Sequence, residues 1–225
     1  MKQRMIIERI PGPFASLYEK ATRMMITSYY GPVAEEIVTS LKGGTILDLG
    51  TGPGYLPIEI VKRSPSIRVI GIDLTRKLIN TAKRNALKNG VADRLHFEVG
   101  NASRLRFENN YCDMVISTGM MHSLKDPVMV LRECYRVLKQ GGEAWIYDPT
   151  MISSLIDMKK WKDSFTLNER FLYVLFKLFV IFNPLHTYDR KHVNVIIEAT
   201  AFEDYKIEEE GNEIKIKLKR IDGKK

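Results

Sequence analysis

Residues 46–60 read ILDLGTGPGYLPIEI, and this stretch decides the fold: an apolar run ends at Leu49, glycines follow at alternate positions, and a helical pattern starts near Tyr55. A strand that turns into a helix through glycines lets a ligand approach bare backbone. A dinucleotide-binding turn would carry GxGxxG, with a pyrophosphate at the helix amino terminus. Here Gly50, Gly52 and Gly54 give GxGxG, and Tyr55 stands where the third glycine of that pattern would fall. Asp48, just before the loop, would repel a pyrophosphate and suits a ligand bearing an ammonium or sulfonium.

Outward from this turn, short apolar runs alternate with amphipathic segments between residues 45 and 148, the pattern of successive βαβ units. TILDLG, RVIGID, LHFEVG, CDMVIS and EAWIYD are the predicted strands. Thr75 is expected to cap a helix running to about Lys88, with Gly90 past its end. Asp126 and Pro127 open another, which should stop before Gly141 and Gly142. Near the carboxyl end, EDYKIEEE and NEIKIKLKRI alternate apolar and charged residues around Gly211-Asn212, an antiparallel hairpin preceded by a helix at about 189–201. Right-handed crossovers then give an α/β fold with a doubly wound, mostly parallel seven-stranded sheet, an antiparallel C-terminal hairpin and helices on both faces. N-terminal helices, YYGPVAEEIVTSL among them, and a helical lid insertion after the fifth strand complete it. A single domain is expected over 1–225: an N-terminal helical cap (1–44), a cofactor-binding core (45–148), the lid (149–188), and a closing helix and hairpin (189–225).

Composition bounds the chemistry. A chain of 225 residues with 44% hydrophobic content supports one sizeable core. The opening MKQRMIIERIPGPF lacks the apolar run of a signal peptide, and no segment reaches the ~20 apolar residues of a membrane span, so a cytoplasmic location is expected. Cys112 and Cys134 lie in no CxxC or Cys/His cluster, which argues against a disulfide framework and a metal site. The net charge of +8 is spread thinly: +2 over 1–45, +4 over 46–100, zero over both 101–150 and 151–204, and +2 over 205–225. Much of it belongs to TRKLINTAKRNALKNG, the solvated face of an outer helix, with no stacking aromatics between the cations, which disfavours nucleic acid. Richness in Lys, Glu and Ile, with only Gln3 and Gln140 as glutamines, fits a heat-adapted source, which accounts for charged surface in another way.

From about Tyr30 through the closing hairpin, LDLGTGPG, the acid of GID, GNAS, MMHSLKDP and ECYRVLKQGGEAWIYD follow one another in the order and spacing of a known family. On these motifs the sequence resembles the class I S-adenosylmethionine-dependent methyltransferases. The resemblance implies S-adenosyl-L-methionine as cofactor, with Gly50, Thr51, Gly52 and Gly54 around its methionine portion and Asp48 positioning its ammonium. It further implies that Asp73 accepts from the ribose hydroxyls, that Leu74 lies against adenine, and that Asn101 and the Ala102 amide meet the ring. Ser117, at the end of the fourth strand, joins the cofactor set. As structural alternatives, Asp73 is a helix-start acid and Asn101 an ordinary turn residue. His122, where the methyl group should lie, is a candidate base, cofactor contact or packing residue, and Asp148 ends the fifth strand facing the acceptor region.

The fourth strand leads into Ser117-Thr118-Gly119-Met120, not the Asn/Asp-Pro-Pro-Tyr of enzymes that methylate exocyclic amines. In the lid, Thr166 and Glu169 form a capping box, Asn183-Pro184 ends the helix, and between Phe171 and Phe182 only Lys177 is charged. Glu169, Tyr173 and Lys177 share one stripe, leaving a wide apolar arc. That arc is core, a roof over an apolar acceptor, or a dimer or membrane-surface contact. The expected activity is direct in-line methyl transfer to a small, partly apolar acceptor, by a monomer or homodimer. An RNA methyltransferase and a non-catalytic cofactor-binding module are the alternatives.

Overall fold

Strands covered by helices on both faces are rich in apolar residues, and the strand segments of residues 44–118 fill their buried positions mostly with Ile, Val, Leu, Met and Phe. In the computed structural model, which describes Ile10, residues 14–149, 166, 167, 170, 171, 174, 175, 188–211 and 213–221, they pair as a parallel sheet. The strands are β1 (Gly44–Leu49), β2 (Ile67–Asp73), β3 (Leu95–Val99), β4 (Cys112–Thr118), β5 (Leu138–Pro149), β6 (Asp204–Glu210) and β7 (Glu213–Lys219), in the order β3-β2-β1-β4-β5-β7-β6. Only β7 runs against its neighbours, so the closing hairpin inserts its second strand beside β5 and leaves β6 at the edge. The order reverses between β1 and β4. That switch point opens a crevice above the strands' carboxyl ends, where open α/β sheets bind ligands.

The helices are α1 (Ala15–Met24), α2 (Gly31–Ser40), α3 (Tyr55–Arg63), α4 (Arg76–Lys88), α5 (Pro127–Val137) and α6 (Arg190–Glu198), with a π-helical turn at Ile26–Tyr30 between the first two. Alternate strand residues feed two cores. One joins Ile46, Ile116 and Trp145 to Ile37 of α2 and Ile60 of α3. The other joins Leu47, Val115 and Ile146 to Leu131 of α5 and Val193 of α6. Ile37, Ile46, Ile60 and Ile116 are fully buried, and cutting any one to alanine should cost about 2–5 kcal/mol.

Several local readings change. β5 starts at Leu138, five residues before the predicted EAWIYD, because the chain does not stop at Gly141-Gly142 but bulges there: the β4–β5 register shifts between Cys112↔Leu138 and Met114↔Glu143. Gly142 is needed at that bulge, since a Cβ would lie 2.8 Å from the Asp113 carbonyl oxygen. Thr75 occupies the cap position of α4, yet its hydroxyl donates to the Ile10 carbonyl (3.4 Å) and caps nothing. Asp126 and Asp189 do cap, accepting from the Met129 and His192 amides at 2.9 and 2.8 Å. Of the expected lid, the predicted capping box at Glu169, the Glu169-Tyr173-Lys177 stripe, the Asn183-Pro184 stop and most of the predicted apolar helix lie outside the described residues. The described positions 167, 170, 171, 174 and 175 are helical, and there Leu167 (83% exposed) and Phe171 (65% exposed) face solvent, so core packing does not hold for them.

Candidate active site

The glycine loop is pinned to the end of β2, where the Gly50 and Thr51 amides donate to the Ile72 carbonyl at 2.8 and 3.0 Å. Its glycines serve different ends. Gly54, at φ 78°, would put a Cβ 2.9 Å from both Ala82 Cβ and Phe97 Cζ, so the protein's own packing of α4 and β3 demands it. Gly52 has a φ of 54°, a conformation that favours glycine, and among the described residues a Cβ there would meet nothing closer than Tyr18 Cε1 at 3.5 Å, which leaves its surface bare. A backbone left open at the switch point is a cradle.

Two carboxylates flank it. Asp48, near the end of β1, is 2% exposed, and among the described residues its Oδ1 has no hydrogen-bond partner; neither has the buried Thr51 Oγ1. Burial pushes the Asp48 carboxyl up to about 7, and the charge of Asp73 adds to this; the Thr51 hydroxyl is close enough to ease the charge without reaching hydrogen-bond geometry. Asp73 closes β2 with its side chain turned to the loop: Oδ2 accepts from the Gly52 amide (3.0 Å) and Oδ1 from the Thr75 amide (2.7 Å). Burial raises its pKa, and these two amides counter the rise. Each oxygen keeps a lone pair, and helix starting is a subsidiary role at most, since the carboxylate also holds the loop.

Of the adenine candidates, Leu74 is half-buried and Ala102 buried, while Asn101 is exposed. Asn101 Oδ1 accepts from the Ser103 amide (2.9 Å) and hydroxyl (2.8 Å), which takes both its lone pairs in a local turn. Ser117 is likewise engaged, since its buried hydroxyl donates to the Leu49 carbonyl (3.0 Å) and ties β4 to β1.

His122 and Asp148, singled out separately in the sequence, meet. His122 lies in a single 3₁₀ turn after β4, and Asp148, 1% exposed, near the end of β5. Asp148 Oδ1 accepts from the Met121 amide (3.0 Å) and Oδ2 from the His122 amide (2.9 Å), while His122 Nδ1 lies 3.2 and 3.3 Å from the two oxygens. A carboxylate can only accept there, which assigns the imidazole proton to Nδ1 and leaves the Nε2 lone pair unengaged among the described residues. Such an arrangement suits a base held in one tautomer.

Sequence reasoning missed the tyrosines. Tyr18 lies against the loop. Tyr29, from the π-helical turn, pairs with Glu213 at the start of β7, and Tyr188 is close enough to Asp148 for that charge, after burial, to raise its phenol. The only trace in the sequence is Tyr29-Tyr30 ahead of α2, a spacing that means little until the turn is known to be π-helical. Among the described residues no three His, Cys, Asp or Glu side chains gather as metal ligands, and Cys112 and Cys134 are buried and free.

A family model described as a methyltransferase domain matches residues 40–212. The chain therefore belongs to that family and, with this sheet order and cradle, to the class I S-adenosylmethionine-dependent methyltransferases. It is 30% identical over 106 residues to the ubiquinone/menaquinone biosynthesis C-methyltransferase of Geotalea daltonii, covering 47% of this chain and 45% of that one. It is 31% identical over 118 residues to the ubiquinone biosynthesis O-methyltransferase of Nitrosomonas europaea, covering 52% and 48%. The chain thus spans about half the length of the curated relatives it matches. A crystal structure from Methanococcus maripaludis, named as an S-adenosyl-L-methionine-dependent methyltransferase, superposes with a TM-score of 0.73 over 100% of this chain and 99% of that one, at 22% identity, a likeness of fold. The residues present fit the cofactor: a bare loop for its backbone approach, an unpartnered buried acceptor at Asp48, and a strand-end carboxylate with two free lone pairs.

Proposed function

We propose that the chain transfers the methyl group of S-adenosylmethionine to a small, partly apolar acceptor through an ionisable hydroxyl that His122 deprotonates. The observation that carries this reading is the His122–Asp148 pair. The cofactor supplies a methyl already activated on sulfur, so the protein's share is alignment and proton removal. Asp48 would hold the ammonium, Gly50–Gly54 the methionine backbone, Asp73 the ribose hydroxyls, and Leu74 with the Ala102 amide the adenine.

Asp148 holds the proton on Nδ1 and so presents Nε2 as the acceptor of the substrate's proton. Magnitudes select the substrate. A phenolic hydroxyl, near pKa ~10, lies within the reach of general-base catalysis. An aliphatic hydroxyl near water's ~16 is about 6 units, or about 8 kcal/mol, harder to deprotonate. A phenol or quinol is therefore the fitting class, and the relative named as a ubiquinone biosynthesis O-methyltransferase supports transfer to oxygen. Leu167, Phe171, Val174 and Leu175 offer exposed apolar surface that a lipophilic acceptor or a membrane surface would cover. No helix among the described residues is long and apolar enough to cross a membrane. A cytoplasmic protein of a heat-adapted organism, acting as a monomer or homodimer on a small molecule rather than nucleic acid, fits these features.

The test is turnover on a panel of phenols and quinols, with and without substitution of the pair. His122→Ala and Asp148→Asn should each lower kcat by about 10²–10⁴-fold while leaving S-adenosylhomocysteine affinity within about twofold. Turnover unaffected by His122→Ala would reject the base assignment.

A further inference from the structure

α1 lies over the open side of the cradle. The Tyr18 ring stands in ordinary contact with the position a Gly52 side chain would take, 3.5 Å from its Cβ. A side chain at the start of α3 holds α1 there, and one at the start of α4 bonds Ile10 ahead of it. The Tyr55 hydroxyl, at the start of α3, donates to Glu19 Oε1 (3.2 Å), and the Thr75 hydroxyl, at the start of α4, donates to the Ile10 carbonyl (3.4 Å). Inside the helix, the Thr22 hydroxyl donates to the Tyr18 carbonyl (2.8 Å).

The Tyr18 hydroxyl itself has no hydrogen-bond partner among the described residues. It is close enough to Asp48 and Asp73 that burial, and after it these two charges, raise its phenol well above the ordinary value. A phenol so placed stays protonated and can donate. One acceptor, Asp48 Oδ1, and one O–H donor, that of Tyr18 beside Gly52, thus lack partners among the described residues, whereas the Thr51 hydroxyl lies against Gly71 of β2. The complement of that set is a ligand end with one ammonium and one carboxylate, a free amino-acid group.

We propose that Tyr18 is a cofactor-binding residue, its ring roofing Gly52 and its hydroxyl donating to the carboxylate on the amino-acid end of S-adenosylmethionine. The proposal rests on the cofactor assignment above. It adds a contact from outside the glycine loop, and it makes α1 part of the binding site instead of a mere cover.

Calorimetry with two ligands tests it. S-adenosylhomocysteine carries the amino-acid end, and 5′-methylthioadenosine lacks it while keeping the nucleoside and sulfur. Tyr18→Phe, which keeps the ring, should weaken S-adenosylhomocysteine about tenfold and leave 5′-methylthioadenosine within about twofold. Tyr18→Ala should weaken the first further. Unchanged S-adenosylhomocysteine affinity in Tyr18→Phe would overturn the proposal, as would an equal loss for both ligands, which would reduce Tyr18 to support of the fold. Wild-type protein that binds neither ligand would instead remove the cofactor assignment, and the proposal with it.

Discussion

Asp48→Asn separates two effects of one buried carboxyl. The side chain is 2% exposed with Oδ1 unpartnered, and burial raises its pKa from 3.8 to about 7. That shift of about 3 units corresponds to about 4 kcal/mol. The folded protein holds this proton more tightly than the unfolded chain does. The stability it confers is therefore complete below about pH 4 and lost as the pH rises through about 7. The ionised form, which a ligand ammonium needs, is the form the free protein tolerates least. At pH 5.5 only about 3% of Asp48 is ionised, so S-adenosylhomocysteine affinity, measured by calorimetry, should fall about 30-fold below its plateau near pH 8. Asparagine keeps the shape and removes the charge. It should weaken binding at pH 8 by about 10–100-fold and flatten the pH dependence. It should also raise Tm at pH 8 by several degrees, at about 2–4 °C per kcal/mol for a chain of this size. Wild-type affinity that is flat between pH 5.5 and 8, or an asparagine variant that binds as tightly as wild type, would refute the assignment of Asp48 to the ammonium.

Other perturbations divide binding from folding. Asp73→Ala should cost about 1–3 kcal/mol of cofactor affinity, since it frees the Gly52 and Thr75 amides and removes the ribose acceptor; unchanged affinity by calorimetry would remove the ribose assignment. Gly54→Ala should lower Tm, because its Cβ would press on Ala82 and Phe97 at 2.9 Å; Gly52→Val, strained by its φ of 54° but free of such contacts, should abolish S-adenosylhomocysteine binding. A Gly52→Val variant that binds normally would give the loop another use.

Local features were the legible ones. The glycine loop, the acid ending β2 and the caps at Asp126 and Asp189 each depend on a few consecutive residues, so residue type and spacing suffice to place them. Features made by register were not. His122 and Asp148 lie 26 residues apart and meet only because β4 and β5 pair with Thr118 opposite Tyr147. The early start of β5 needed the bulge at Gly141-Gly142, which in sequence looks like a helix stop. Tyr18 reaches the loop only through the docking of α1, and nothing in its neighbours' spacing marks it. Nor does the sequence distinguish Gly54, whose Cβ would press on Ala82 and Phe97, from Gly52, whose Cβ would meet nothing closer than Tyr18, since both read simply as glycine. The engaged side chains of Asn101 and Ser117 were hidden for the same reason: their partners, Ser103 and the Leu49 carbonyl, depend on a turn and a strand pairing.

The most direct measurement is a crystal structure with S-adenosylhomocysteine bound. The expected result has the ligand ammonium at Asp48, both ribose hydroxyls at Asp73, and the sulfur facing His122. A ligand seated away from the glycine loop, or one whose sulfur turns from His122, would contradict the assignment of this crevice as the site of methyl transfer.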